Sequence, residues 1–334
     1  MSFDRLMVTS RQSESPHRTY TNPVYAGYFA DPFVFQHEGV YYAVGTGAAP
    51  NGDREFPTLR SEDLVNWEPL EAALIRPDVD GNAYWAPEVA FSEGRFYMYY
   101  SVGTGDKNHH LRVAVSNHPQ GPYEDTGTPL LDPETAPFAI DASPFQDDDG
   151  RWYLFYARDF LDTDRPGTSL VVAPLIEMTK AAPEYTVVMR AHHDWQRYQE
   201  NRPIYGGAYD WHTLEGPCTL KHDGRYYCIY SGGNWQNDSY GLDFVSADSI
   251  SGPYTDSNPG DGPRLLRTLP GKVLGPGHNS VVTGPDGSRQ FVCYHAWDRS
   301  IGARRLCIDK LTWTEDGPRC AGPTWEPQPL DDGT

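Results

Sequence analysis

The chain has 334 residues, 38% of them hydrophobic and 22% charged, enough apolar material for a core, and all-β architectures of this length often form one unit. Its formal net charge of −19 sets it against nucleic acid, whose affinity rests on Lys and Arg contacts to phosphate. No stretch approaches 18 consecutive apolar residues, which excludes an apolar membrane-spanning helix. Aromatic residues reach 13%, and Gly and Pro number 32 and 29; aromatic strands separated by Gly/Pro turns point to β structure. The five cysteines (Cys218, Cys228, Cys293, Cys307 and Cys320) include no C-x-x-C pair, and the first four sit in or beside apolar strands as expected buried thiols.

Residues 1–20 are polar and aperiodic and read as a flexible arm, with no apolar core of a signal peptide; taken as written, the chain is expected in the cytoplasm, and a removed leader is the alternative. From residue 21 to 334 a single domain is expected, built from five repeats. The first holds Ala30-Asp31-Pro32, the strand Phe33-Val34-Phe35, a turn at Glu38-Gly39, and the strand Val40-Tyr41-Tyr42-Ala43-Val44. The same order of polar residue, short strand, Gly turn and aromatic strand recurs at 86–103, 141–158, 215–233 and 278–298. Asp31, Glu88, Asp141, Glu215 and His278 stand at the mouths of the five hairpins. The long stretch 179–214, with His192-His193-Asp194-Trp195, is expected to form a loop over one face.

Three or four antiparallel strands cannot bury a face alone, whereas five such units arranged radially bury one another. The fold expected is therefore all-β, a five-bladed β-propeller whose first strands line the axis and bring the mouth residues to one funnel. Separated carboxylates in one funnel suit acetal hydrolysis: one protonates the leaving oxygen, another activates water or attacks carbon, and a third raises the donor's pKa.

Four motifs carry a resemblance: Ala30-Asp31-Pro32; Ile140-Asp141-Ala142-Ser143-Pro144-Phe145 with Asp148-Asp149-Gly150; Leu214-Glu215-Gly216-Pro217; and Gly275-Pro276-Gly277-His278-Asn279-Ser280. In this order they resemble glycoside hydrolase family 43, five-bladed propellers that invert configuration at arabinose- and xylose-containing glycans. The resemblance implies Asp31 as general base, Glu215 as general acid and Asp141 as the residue that holds the acid and tunes it. It implies a role at the axis for His278, where relatives coordinate calcium or a similar ion through water, with no cofactor otherwise required. Trp85, in Trp85-Ala86-Pro87-Glu88, would line the substrate. An arginine of the last blade would contact sugar, and Arg304 and Arg305 both fit. Cys218 departs from the histidine of many relatives.

The function so implied is exo-hydrolysis of a terminal α-L-arabinofuranosyl or β-D-xylosyl unit from an oligosaccharide. The alternatives are an endo-arabinanase of the same fold and a non-catalytic carbohydrate-binding propeller. Trp85, Trp211, Trp235 and Trp297 lie near the motifs, and each fits sugar stacking and core packing equally well. His109-His110 and His192-His193 read as rim-loop histidines before metal ligands, and Asp147-Asp148-Asp149-Gly150 as a hairpin turn, since it lacks the spaced ligands of a calcium loop.

Overall fold

The computed structural model describes residues 18–47, 52–260 and 262–331. Blade one pairs Ala30–His37, Val40–Thr46, Thr58–Ser61 and Glu68–Leu70 in order, and blade two pairs Ala83–Ser92, Arg95–Thr104, Lys107–Ser116 and Glu124–Pro129. Blade three begins with Ala139–Gln146, Trp152–Phe160 and Gly167–Glu177, and blade four with Gly207–His222, Arg225–Gly232 and Gly241–Ala247. Blade five is Leu274–Thr283, Gln290–Trp297, Arg304–Thr314 and Gly317–Cys320. The first strands neighbour one another in a closed cycle, blade one beside two, two beside three, three beside four, four beside five and five beside one. The five-bladed expectation is met.

Each gap between neighbouring blades holds its own apolar core, and each core is aromatic. Phe56, Tyr84 and Tyr100 fill the first gap; Tyr99, Leu154 and Tyr156 the second; Phe155, Leu214 and Tyr230 the third. Ile229, Tyr294 and Cys307 fill the fourth, and Phe29, Tyr41 and Ile308 the fifth. Alternation along the strands explains the division, because successive side chains face opposite neighbours. Tyr99 and Tyr100 accordingly lie in different gaps.

The two-residue turns Glu38-Gly39, Glu93-Gly94 and Asp223-Gly224 have positive φ at both positions, the conformation of tight hairpins in twisted sheets. Blades three and five use longer turns, closed by Asp147 N–H to Arg151 O and Gly284 N–H to Arg289 O.

Much of the stretch 179–214 is ordered sheet, contrary to the loop expected. Thr186–Met189 pairs with Gly167–Glu177, and Arg197–Ile204 forms a hairpin with the first part of the sixteen-residue strand Gly207–His222. That strand runs parallel to Gly167–Thr168, which joins blades three and four into one continuous sheet. Gly167 permits the junction: a Cβ there would lie 1.9 Å from the His212 carbonyl oxygen.

The ring closes through both ends. Val24 N–H and Phe29 N–H donate to Leu306 O and Arg304 O, Asn22 bonds Ile308 in both directions, and Thr19–Tyr20 pairs with Gln328–Pro329. Residues 1–17 of the expected arm lie outside the described residues, while Arg18–Tyr20 belong to the folded ring. All five cysteines are free; Cys228, Cys293 and Cys307 are buried, and Cys218 and Cys320 are partly so.

Candidate active site

Every first strand carries a bulge at the funnel end, and the register shift falls at the same place in each blade. The bulged residues are Asp31, Ala86, Asp141, Gly216 and His278, with φ of 48°, 47°, 58°, 55° and 51°. Left-handed backbone is uncommon for any residue but glycine, so four strained positions in one ring mark a site that the surrounding structure enforces. This geometry corrects the equivalence assumed from sequence. Glu215 precedes the bulge and corresponds to Trp85, while Glu88 lies two residues beyond the bulge at Ala86, buried below the funnel.

Blades one, four and five each satisfy the bulge N–H of the blade that follows. Ala86 N–H donates to Thr46 Oγ1 (2.8 Å), His278 N–H to Ser231 Oγ (2.7 Å), and Asp31 N–H to His295 Nδ1 (3.1 Å). The acceptors occupy equivalent places on the second strands of blades one, four and five. Blade three has Ala157 at that place, paired with Ile140 and lacking any polar side-chain atom. There the carboxylate of Asp141 substitutes, accepting Gly216 N–H at 2.8 Å. Asp141 thus fixes the backbone directly after Glu215.

Asp31, Asp141, Glu215, His278, Arg304, Trp85, Trp235, Thr46 and Ile140 line one cavity of about 140 Å³. Larger hollows of about 610 and 740 Å³ lie between blades two and three and are lined by none of these groups. Arg304 Nη1 contacts Asp31 Oδ1 at 3.2 Å, Nη2 donates to the Tyr28 hydroxyl at 2.9 Å, and the guanidinium lies over the Trp235 ring at 4.3 Å. Arg305 instead turns outward to Asp298 (2.8 Å) and the Ala26 carbonyl, and does not line the cavity. Of the two arginines left open by sequence, Arg304 is at the site.

Burial pushes Asp31 up, but Arg304, His278 and His295 together outweigh it and hold the carboxyl well below the usual range. The imidazoles cannot supply that charge near neutrality. Burial lowers His278 and brings His295 down to about 4, and His295 Nδ1 already accepts the Asp31 N–H as a neutral ring would. Arg304 is therefore the lasting counter-charge. Glu215 is displaced the other way. Burial pushes it up to about 7, with the Tyr240 hydroxyl bond (2.5 Å) opposing and the Asp31 charge reinforcing. Asp141 is raised by burial, then by Glu215 and Asp31, against the Gly216 N–H. Glu88 is pushed up to about 8 by burial, with a Ser143 hydrogen bond opposing.

Trp85 stacks on His109, centroids 3.7 Å apart and planes 22° apart. His109 lies in a strand and is fully buried, not in a rim loop; its Nε2 meets Gly105 O at 2.8 Å and its Nδ1 meets Ser101 Oγ at 3.2 Å. Trp297 stacks behind Trp235 at 5.9 Å and donates its Nε1–H to the Trp235 carbonyl, while Trp211 is buried in the sheet. Sequence does not single out Tyr28, Thr46, Tyr240 and His295, and shows Ile140 only as part of a motif. A polar residue ending an aromatic second strand, as in Val44-Gly45-Thr46 or Tyr294-His295, was the available signal.

The axis is a poor protein cage for a hard cation. Calcium takes six to eight oxygen ligands. His278 offers nitrogen, and its Nδ1 lies 3.6 Å from Asp31 Oδ1 and 3.9 Å from Asp141 Oδ2. Among the described residues no three His, Cys, Asp or Glu ligand atoms converge there.

The family model for glycosyl hydrolases family 43 matches residues 20–318. The chain is 32% identical to a beta-D-galactofuranosidase of Aspergillus niger, over 89% of this chain and 83% of that protein. It is 26% identical to an extracellular exo-alpha-(1->5)-L-arabinofuranosidase of Streptomyces avermitilis, over 91% of this chain and 63% of that protein. The crystal structure of a thermostable family-43 glycoside hydrolase superposes with a TM-score of 0.80 at 31% identity, covering 93% of this chain and 98% of that one. The chain belongs to glycoside hydrolase family 43.

Proposed function

We propose that the protein is an inverting exo-glycosidase that removes a terminal pentose, α-L-arabinofuranosyl or β-D-xylosyl, from an oligosaccharide. The observation that carries this reading is the opposite displacement of two carboxyls facing one small cavity: Asp31 is held ionised by Arg304, and Glu215 is pushed up to about 7 by burial. Groups whose environments drive their pKa values apart divide naturally into base and acid. Glu215 gives its proton to the glycosidic oxygen as the C–O bond breaks. Asp31 takes a proton from water as that water attacks the anomeric carbon from the opposite face, giving the inverted anomer. Asp141 acts through Glu215, fixing the backbone directly after it by accepting the Gly216 N–H. No step is assigned to a metal ion.

A cavity of about 140 Å³ is well below the roughly 300–1,000 Å³ of a drug-sized site, which favours one sugar ring and exo action. The furanosidase names of both relatives support a five-membered ring. The galactofuranosidase relative favours a second reading, release of a terminal galactofuranosyl unit. Among the described residues no helix is long and apolar enough to cross a membrane. A cytoplasmic site of action remains a proposal, since one relative is named as extracellular.

The test is a panel of nitrophenyl arabinofuranoside, xyloside, galactoside and galactofuranoside, with proton NMR of the first-formed anomer. Turnover of a terminal furanoside with inversion is expected. A retained anomer would overturn the mechanism, binding without hydrolysis would favour a lectin, and cleavage confined to internal arabinan bonds would favour endo action.

A further inference from the structure

His192, His193 and Asp256 come together at the outer edge of blade four, far from the funnel in sequence and in role. His192 and His193 precede the short helix Asp194–Gln196, and Asp256 follows the bridge between Ser246 and Thr255. His192 Nε2 lies 2.8 Å and His193 Nε2 3.1 Å from the same oxygen, Asp256 Oδ2. The three atoms lie within 4.8 Å of one another. We propose that these residues bind a divalent transition metal of the zinc type, through two imidazole nitrogens and one carboxylate oxygen, with a fourth position open to water.

The hydrogen-bond arithmetic at His192 supports the assignment. Its Nδ1 faces the Arg190 carbonyl at 3.1 Å, and a carbonyl oxygen only accepts, so Nδ1 carries a hydrogen. In a neutral ring the Nε2 lone pair would then point at a carboxylate oxygen 2.8 Å away. Two lone pairs at that distance require a positive centre, either a second proton on the ring or a metal. A ligating imidazole whose other N–H donates to a backbone carbonyl is the usual outer-sphere arrangement of zinc sites.

The carboxylate is prepared in the same way. Asp256 Oδ1 accepts Asn258 N–H at 2.7 Å and Arg264 Nη2 at 3.0 Å, which fixes the group and leaves Oδ2 facing the imidazoles. The Gln196 side-chain oxygen accepts the N–H of both His192 and His193, at 2.8 and 2.9 Å, and its amide nitrogen donates to the Tyr230 hydroxyl. The backbone of the pair is thereby held from the buried side. His192 is 43% exposed, leaving a path for the ion. Tetrahedral zinc with bonds of about 2.0–2.1 Å spaces its ligands by about 3.3 Å, so the two contacts to Asp256 need lengthen only slightly. Two imidazoles and a carboxylate suit zinc, cobalt or nickel better than calcium or magnesium. Such an ion would pin the segment after Met189 to the loop after Thr255.

The test titrates the chelator-treated full chain with zinc chloride by calorimetry, then with cobalt(II) as a visible-absorbing probe. The expected result is one zinc per chain, a raised thermal midpoint, and a four-coordinate cobalt spectrum. H192Q and H193Q should each weaken zinc binding by about tenfold or more, while H118Q, at an exposed histidine elsewhere, should not change it. Absence of stoichiometric binding would assign the positive centre to a proton and overturn the proposal. Zinc binding that persists unchanged in the H192Q/H193Q double variant would overturn it equally.

Discussion

Arg304 and Asp31 meet at 3.2 Å inside the funnel, one from the third strand of blade five and the other from the first strand of blade one. The pair is almost wholly removed from water, and the arginine also bonds Tyr28 and lies over the face of Trp235. Breaking such a pair leaves a buried charge unmatched, so it constrains both protonation and position.

Arg304→Met should raise the Asp31 pKa, because it removes the charge that favours the ionised form. A base active when ionised then needs a higher pH, and the acid limb of kcat/KM should move upward. Arg305→Ala, outside the cavity, should leave the profile and the rate near wild type. Equal effects of the two substitutions in a pH–rate series would refute the distinction.

Asp31→Asn should lower kcat by about 10²–10⁴, the usual contribution of a general base. Glu215→Gln should do the same for substrates with poor leaving groups and much less for nitrophenyl glycosides, whose leaving oxygen needs little protonation. Steady-state kinetics on paired substrates checks this. A uniform loss across leaving groups would count against Glu215 as the acid.

With Glu215 as the proposed acid, and burial pushing its carboxyl up to about 7, wild-type activity should fall as pH rises through about 7. Tyr240 donates to Glu215 and favours its ionised form, so Tyr240→Phe should raise the pKa and extend activity to higher pH. A basic limb unmoved by the substitution would show that another group sets it.

Glu88 contributes a pH dependence to stability. Its folded pKa of about 8 lies above an ordinary value of 4.5, so the native state holds a proton that the unfolded chain releases. Its contribution is fully present below about pH 4.5 and is lost as pH rises through 8. By linkage this is of the order of a few kcal/mol. Thermal melts from pH 5 to 9 should fall more steeply for wild type than for Glu88→Gln, and parallel curves would exclude the effect.

Trp85→Ala should lower kcat/KM by about tenfold or more, through loss of a stacking face held rigid by His109. The conservative Trp85→Phe should recover much of it. A change in melting temperature with unaltered KM would mark the tryptophan as structural only.

The blades and their order were legible because each unit repeats a Gly turn between an apolar and an aromatic strand. Asp31, Asp141, Glu215 and His278 were legible because each stands just before the apolar run of its repeat. Glu88 was misplaced because a bulge adds a residue that spacing alone does not reveal, and Ala86, with nothing polar to notice, holds the equivalent position. The hairpin at 197–214 reads as loop because its strand Arg197–Ile204 is polar and half-exposed, without the alternation that a buried face imposes. His109 reads as a rim residue next to His110; only the approach of Trp85, and the missing side chain of Gly103, whose Cβ would lie 2.4 Å from the ring, make room for it inside.

The meeting of Arg18 with Asp331, and of Thr19–Tyr20 with Gln328–Pro329, has an architectural consequence. With these two segments side by side, the position of the break in the ring is arbitrary as far as the funnel is concerned. Residues 18 and 331 could be linked and the polypeptide reopened between blades one and two. What could not be removed is a whole blade, because Asp31, His278, Ala86 and Gly216 are each braced from the neighbouring blade, as stones in an arch are.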